Sequence, residues 1–170
     1  QRRKGGAQER VQGLQLLPHL EHLVPHAGEL LGPEHVTTAL DSLHAHRLGH
    51  GVRSAEDPRL LERLAREGVA LEVCPTSNVA LGVYATLDEV PVRTLVGAGI
   101  DVALGADDPL LFGSRLAGQY AVLRAAQDLD DTELADLARM SLRASVAPAE
   151  LVSGAGRAID AWLAAPADTA

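Results

Sequence analysis

Two histidines and three acids stand in short polar segments whose residue types suit metal-assisted hydrolysis. His26 and Glu29 lie three residues apart in "PHAGE", and His50 lies between two glycines in "GHG". Asp107 and Asp108 are adjacent in "ADDP". Imidazole and carboxylate groups are zinc ligands and also general acids and bases. Together they supply the parts of a mononuclear metal hydrolase: metal ligands, a base for water and an acid for the substrate.

Each segment taken alone also has a structural interpretation. Glu29 in a first helical turn would complement the helix dipole, and the histidine before it would be an ordinary buried residue. Asp107 would initiate a turn. Two adjacent carboxylates repel each other, however, and their placement is costly unless a cation or a hydrogen-bond donor lies beside them. The combination of segments therefore favours a metal site over separate structural roles.

The segment "CPTSN" contains the single cysteine of the chain, Cys74. The chain offers no matched histidine and asparagine pattern that would make this cysteine a nucleophile. We interpret the segment as a buried thiol followed by a hydrogen-bonded turn that uses Thr76, Ser77 and Asn78. We expect it to support the site rather than to react.

Short apolar runs end at these polar segments and predict parallel strands. The predicted strands end near His26, at His50, before Cys74 and before Asp107. The first three of these residues are 24 positions apart, and Asp107 follows 33 positions later. Such a step suits one strand–helix unit. Because the carboxyl ends of parallel strands form the site face of α/β folds, we expect these side chains to meet there.

Helical signals separate the predicted strands and fill the rest of the chain. Pro33 opens one helix, Asp57 caps a second, and Pro91 opens a third. After the fourth strand the apolar spacing predicts three further helices, over residues 114–126, 132–145 and 148–163. The middle one has the capping-box residues Asp130 and Glu133.

Composition narrows the class of protein. The 170 residues include 15 basic and 23 acidic side chains, which give a net charge of −8 and argue against nucleic acid or an anionic membrane surface as a partner. One cysteine excludes an internal disulfide and a multi-cysteine zinc site. The chain has no apolar run of membrane-spanning length, and its opening "QRRKGGAQER" lacks the apolar stretch of a secretory signal. The expected location is cytoplasmic.

Four motifs, taken in order and with their spacing, resemble the adenosine deaminase family of the amidohydrolase superfamily. They are "HAGE", "RLGHG", "LEVCPTSN" and "GADDP", and the last two are most similar to the bacterial branch, which includes adenine and aminodeoxyfutalosine deaminases. The resemblance implies a zinc-containing (β/α)₈ barrel. It also implies hydrolytic replacement of the 6-amino group of a purine by oxygen, with release of ammonia.

The resemblance implies a role for each motif residue. His26 and Asp107 would bind Zn²⁺. Glu29 would donate a proton to the purine ring, and His50 would orient the attacking water and help to deprotonate it. A zinc site of this kind makes hydroxide available near neutral pH.

The same resemblance implies the substrate contacts. Asp108 would bind the purine, and Gly28 would let the ring lie close to the backbone. The partner expected from the family is a small-molecule 6-aminopurine.

The chain departs from the family pattern on one point. The family takes two further zinc ligands from a His-x-His at the end of its first strand, whereas His44 and His46 stand at the end of a predicted helix. Barrels of this type have about 250 residues. The expected fold is therefore α/β, the C-terminal half (strands 5–8 plus terminal helices) of a (β/α)₈ TIM barrel over residues 23–170. Residues 1–22 are expected to be an atypical, poorly ordered lead-in.

Two functional interpretations follow from this departure. In one, the chain is part of a purine deaminase whose site is complete only with the amino-terminal half of the barrel. In the other, it is a truncated or decayed deaminase fragment with no activity of its own.

Overall fold

A four-stranded parallel sheet forms the centre of the fold in a computed structural model, which describes residues 23–165. The strands are β1 (His26–Ala27), β2 (Arg47–His50), β3 (Ala70–Val73) and β4 (Val102–Leu104), and they lie side by side in chain order. His26 pairs with Gly49, and Leu71 pairs with Val102. The predicted parallel order is confirmed. The expectation of a poorly ordered lead-in over residues 1–22 lies outside the described residues.

Helices connect the strands and follow the last one. The connections contain α1 (Pro33–Leu43), a 3-10 turn (Val52–Glu56), α2 (Pro58–Glu67), α3 (Pro75–Ala80) and α4 (Val92–Gly97). After the sheet come α5 (Pro109–Phe112), α6 (Leu116–Gln127), α7 (Asp131–Arg143) and α8 (Ala149–Ala164). The three predicted terminal helices agree with α6, α7 and α8 to within two residues at each end. In this described part of the chain, no helix combines the length and apolar character needed to span a lipid bilayer.

Local capping fixes two of these helices, as the sequence predicts. The Asp57 side chain accepts a hydrogen bond from the backbone N–H of Arg59 at 2.9 Å, and Gly68 caps the other end of α2. Asp130 and Glu133 form a reciprocal capping box at the start of α7. Such caps typically contribute about 1 kcal/mol each, because they satisfy backbone N–H groups that the helix leaves unpaired.

One face of the sheet packs against the helices and forms the core. Leu48, Leu71 and Val102 are fully buried there, and burial of each such side chain contributes about 1.5–3 kcal/mol. Side chains alternate along a strand, so Glu72 and Ala103 project from the opposite face, where they line a cavity. The sheet therefore has the apolar core on one face and this cavity on the other.

The segment after β3 differs from the prediction. We predicted a hydrogen-bonded turn, but the chain enters the short helix α3 directly after Cys74. Pro75 occupies the first helical position, where proline fits because its backbone dihedral is already helical and its missing N–H is not needed. The buried thiol is confirmed, since Cys74 is 5% exposed.

Candidate active site

The carboxyl ends of the four strands open into one cavity of about 480 Å³. His26, His50, Cys74 and Asp107 line it, one from the end of each strand in turn. Its size is within the range of small-molecule sites. A slightly larger cavity, of about 550 Å³, lies between α6, α7 and α8, but its lining is almost wholly apolar and offers little chemistry. The strand-end cavity is therefore the candidate site.

Glu29 reaches the site because the backbone turns sharply after β1. Gly28 has a φ of 66°, and a Cβ at this position would come within 2.3 Å of the Val36 side chain. Only glycine meets both conditions without strain. Glu29 therefore stands outside α1, which begins at Pro33, and its interpretation as a first-turn helix residue is wrong.

His50 is held close to Glu29 in a buried position. Its side chain is 4% exposed, and its Nδ1 lies 3.1 Å from Oε1 of Glu29. This contact has an ion-pair distance without hydrogen-bond geometry, so the buried Nδ1 has no hydrogen-bond partner among the described residues. The ring of His26 meets the ring of His50 edge to face, with centroids 4.9 Å apart. The two predicted histidines are thus neighbours.

Two predicted site residues are among the four described non-glycine residues that have a positive φ. His50 and Asp107 both adopt the left-handed backbone region, with φ values of 65° and 56°. Such conformations are uncommon outside glycine and cost about 1–3 kcal/mol each. The ligand atoms of His50, Asp107 and Glu29 lie within 4.8 Å of one another. The strain therefore coincides with the point where the three side chains converge.

Burial shifts the protonation equilibria of Glu29 and His50 in opposite senses. It raises the pKa of Glu29, and the carboxylate of Asp107 raises it further, against the opposing effects of His26 and Asn78. Burial also lowers the pKa of His50, with Asp107 acting in the other direction. Both pKa shifts are towards the neutral form, since desolvation disfavours the charged form of each group.

Asp108 is engaged elsewhere in this structure. Its Oδ1 accepts hydrogen bonds from the backbone N–H groups of Leu110 at 2.9 Å and Leu111 at 3.0 Å, and so caps α5. The side chain is exposed and does not join the cluster of Glu29, His50 and Asp107. Its expected contact with a purine stays a prediction.

Sequence reasoning missed Asn78 as a site residue. The sequence placed it in a turn, but it lies fully buried on α3, and its Nδ2 donates a hydrogen bond to Oε1 of Glu29 at 3.3 Å. A local pattern could not reveal this contact, because it joins residues 49 positions apart. Cys74 stays a supporting residue, since burial raises the pKa of its thiol to about 12 and keeps it protonated at neutral pH.

The donor atoms at the site suit a zinc ion, and two ligand sets are available. Imidazole nitrogen and carboxylate oxygen are both zinc ligands, and the partnerless Nδ1 of His50 marks a polar group that needs a neighbour. One set is Glu29, His50 and Asp107; the other is His26 with Asp107. Oε1 of Glu29 already contacts His50 and Asn78, but its Oε2 accepts no hydrogen bond among the described residues, so the contacts of Glu29 allow either set.

Comparison with known proteins gives the family. The sequence model of the adenosine deaminase family matches residues 15–162 of this chain. The chain belongs to the adenosine deaminase family. The match begins within the segment that we described as a lead-in and ends within α8.

Similar proteins show how much of a family member the chain represents. It is 60% identical over 139 residues to a Streptomyces virginiae protein provisionally named adenosine/adenine deaminase, covering 82% of this chain and 41% of the relative. It is 48% identical to an aminodeoxyfutalosine deaminase of Streptomyces avermitilis, covering 84% and 40%. The chain thus spans about two fifths of the length of these relatives.

A solved relative confirms the fold class. The crystal structure of adenine deaminase from Arthrobacter aurescens superposes with a TM-score of 0.82 at 32% identity, covering 92% of this chain and 46% of that one. The parallel sheet with its helices therefore corresponds to about half of a deaminase TIM barrel, as the sequence predicts.

Proposed function

We propose that the chain forms the carboxyl-terminal half of the active site of a zinc-dependent deaminase that acts on 6-aminopurines. Water adds at the carbon that bears the amino group, and ammonia leaves to give the 6-oxo product. The observation that carries the proposal is the convergence of Glu29, His50 and Asp107 at strand ends, within 4.8 Å of one another. Membership of the adenosine deaminase family supports it.

Glu29 and His50 would divide the proton transfers. Glu29, half-buried and with a raised pKa, would donate a proton to a ring nitrogen and so make the neighbouring carbon electrophilic. His50, neutral and buried, would accept a proton from the attacking water. Their 3.1 Å separation keeps acid and base at one point of the substrate, and the raised pKa of Glu29 and lowered pKa of His50 suit these roles.

His26 and Asp107 would hold the zinc ion, which when bound supplies Lewis-acid activation of water near neutral pH. They line the same cavity from the first and fourth strands. A catalytic zinc site takes three or more protein ligands, so the two that we assign among the described residues are too few. We propose that strands outside this chain, which would close the barrel against β1 and β4, supply the rest.

Asp108 and Gly28 would bind the substrate. Gly28 would let the purine ring approach the backbone of the tight turn that leads to Glu29, where its φ is 66°. Asp108 would release part of its cap on α5 or use its second carboxylate oxygen to contact the purine. The named relatives act on adenine or aminodeoxyfutalosine, and the substrate class we assign is the 6-aminopurine that these molecules share.

The test is ammonia release from a panel of 6-aminopurines. Adenine, adenosine and aminodeoxyfutalosine are offered to the complete barrel protein that contains this chain, with zinc and with zinc removed by a chelator. We expect turnover of at least one purine, lost on chelation and restored by zinc. A protein that binds zinc normally and releases ammonia from none of them would contradict the proposal.

The second candidate is a chain that is inactive on its own. The observation that favours it is the pair of zinc ligands, His26 and Asp107, where catalysis needs more. Adenosine absorbance is followed after zinc and the isolated chain are added. No change is expected, whereas turnover by the isolated chain would show that its own residues complete the site.

A further inference from the structure

Asn78 holds one particular oxygen of Glu29. Its Nδ2 donates to Oε1 at 3.3 Å, and Nδ1 of His50 approaches the same oxygen at 3.1 Å. No hydrogen bond among the described residues reaches Oε2. An oxygen that accepts a hydrogen bond from an amide N–H is disfavoured as the bearer of the acid proton, so the contact selects Oε2 for that proton.

The amide of Asn78 is a fixed donor because its own backbone is held on both sides. The backbone N–H of Asn78 donates to the carbonyl of Cys74 at 3.0 Å, and its carbonyl accepts from Val83 at 2.9 Å. The side chain is fully buried. A buried side chain on a pinned backbone has few alternative rotamers, so the position of its Nδ2 is set by the fold.

A second buried amide, on α6, anchors α3 to the segment between α5 and α6. Oε1 of Gln119 accepts from the backbone N–H of Thr76 at 3.1 Å and from its hydroxyl at 3.0 Å. Nε2 of Gln119 donates to the hydroxyl of Ser114 at 2.8 Å. Gln119 is fully buried. The helix that presents Asn78 is therefore tied to α6 and to Ser114 before it.

The hydrogen bond from Asn78 orients the carboxyl group of Glu29 and does not help that group to stay protonated. The hydrogen bond from Asn78 lowers the pKa of Glu29, against the larger effect of burial, so the amide does not help the acid to keep its proton. The buried Oδ1 of Asn78 has no hydrogen-bond partner among the described residues, an arrangement that disfavours the folded state because a desolvated acceptor is left unpaired. A site that tolerates this cost gains a carboxyl group held in one rotamer.

Building on the proposed function, we infer that Asn78 is a positioning residue for the proton donor. Its amide fixes the carboxyl of Glu29 with Oε1 as acceptor and leaves Oε2 to carry the proton that passes to the purine ring. Asn78 itself touches neither the substrate nor the zinc ion in this assignment.

The test compares Asn78→Leu and Asn78→Ala with Ser77→Ala in the complete barrel protein. Leucine keeps the approximate volume and removes the donor. Ser77 is a matched control because it is equally buried on α3 and donates only to the carbonyl of Cys74. We expect kcat to fall about 10- to 100-fold in both Asn78 variants, the scale of a misplaced catalytic group, with KM and zinc content close to wild type. Ser77→Ala should keep most of its kcat.

A double-mutant comparison separates positioning from general damage. In a Glu29→Gln background, Asn78→Leu should cause almost no further loss, because the group that it positions is already disabled. Any of three results would overturn the inference. They are an equal fall in kcat in both backgrounds, a matching fall in Ser77→Ala, and failure of both Asn78 variants to fold. A wild-type protein that deaminates no purine would overturn the proposed function too. Full activity in Asn78→Leu would overturn the inference alone.

Discussion

Nδ1 of His50 and Oε1 of Glu29 lie 3.1 Å apart at the end of the β1–β2 pair. Parallel pairing of Ala27 with His50 brings the two segments to the same level of the sheet. Burial then raises the pKa of the acid and lowers the pKa of the imidazole. The sheet register thus places side by side two groups whose pKa shifts suit the acid and base that we propose.

Replacement of Glu29 by glutamine should abolish most activity without loss of zinc. The amide side chain keeps the shape of the carboxyl group but has no acid proton, so kcat should fall about 10²- to 10⁴-fold. Steady-state ammonia release and bound-zinc analysis measure the two effects. Glu34→Gln is the matched control, since Glu34 lies in the first turn of α1, outside the cluster of site residues. Equal losses in the two variants would contradict the role of Glu29.

A methyl group at Gly49 should weaken zinc binding through His26. A Cβ on Gly49 would lie 2.5 Å from Cδ2 of the His26 ring, so the ring must move. We expect zinc affinity to fall about 10- to 100-fold, as for other changes beside metal ligands. Competition with a chelator measures it. Gly97→Ala is the control, because nothing lies within 4 Å of its added Cβ. Unchanged affinity in Gly49→Ala would argue against His26 as a ligand.

Asp107→Asn should remove the stabilisation that zinc gives to the protein. Asparagine tolerates the left-handed backbone at this position, where φ is 56°, so the metal-free variant should fold. Zinc at about 100 times its dissociation constant stabilises the wild type by about 2.7 kcal/mol. Thermal unfolding with and without zinc should show a rise in Tm for wild type and for the control Asp88→Asn, which lies outside the site. A similar rise in Asp107→Asn would exclude Asp107 as a ligand.

Tyr84 should stay protonated well above the ordinary tyrosine range. Burial raises its pKa to about 12, and its hydroxyl donates to the carbonyl of Val52 at 3.4 Å. The folded state favours the neutral phenol, so this contribution to stability is complete below pH about 10 and is lost as pH rises towards about 12. The difference in tyrosinate absorbance between wild type and Tyr84→Phe follows its ionisation. Half-ionisation near pH 10 in the folded protein, the ordinary tyrosine value, would contradict this.

The sequence predicts much of the fold because its signals are local. The strand-end motifs, the Asp57 cap and the capping box at Asp130 each depend on a few neighbouring residues, and all are found. The helix after Cys74 was missed, although Pro75 at a first helical position is itself a helix signal. We gave the turn-forming character of the residues that follow too much weight.

The site was predicted less completely because its contacts are long-range. The motifs identify Glu29, His50 and Asp107 and predict that strand-end side chains meet, but only the structure shows that these three have ligand atoms within 4.8 Å of one another. The bond from Asn78 to Glu29 depends on how α3 leaves the sheet, which no local pattern encodes. The cap that Asp108 forms on α5 is local, like that of Asp57, but the resemblance assigned this side chain to the substrate.

The location of the zinc ion decides between the two ligand sets and so between a proton-donating and a metal-binding Glu29. A crystal of the complete barrel protein is grown with zinc, and an anomalous difference map is measured at the zinc edge. We predict one peak about 2.0–2.2 Å from ligand atoms of His26 and Asp107, with the carboxyl of Glu29 outside bonding distance and still held by Asn78. A zinc ion bound directly by Glu29, His50 and Asp107 would contradict the assignment of Glu29 as proton donor.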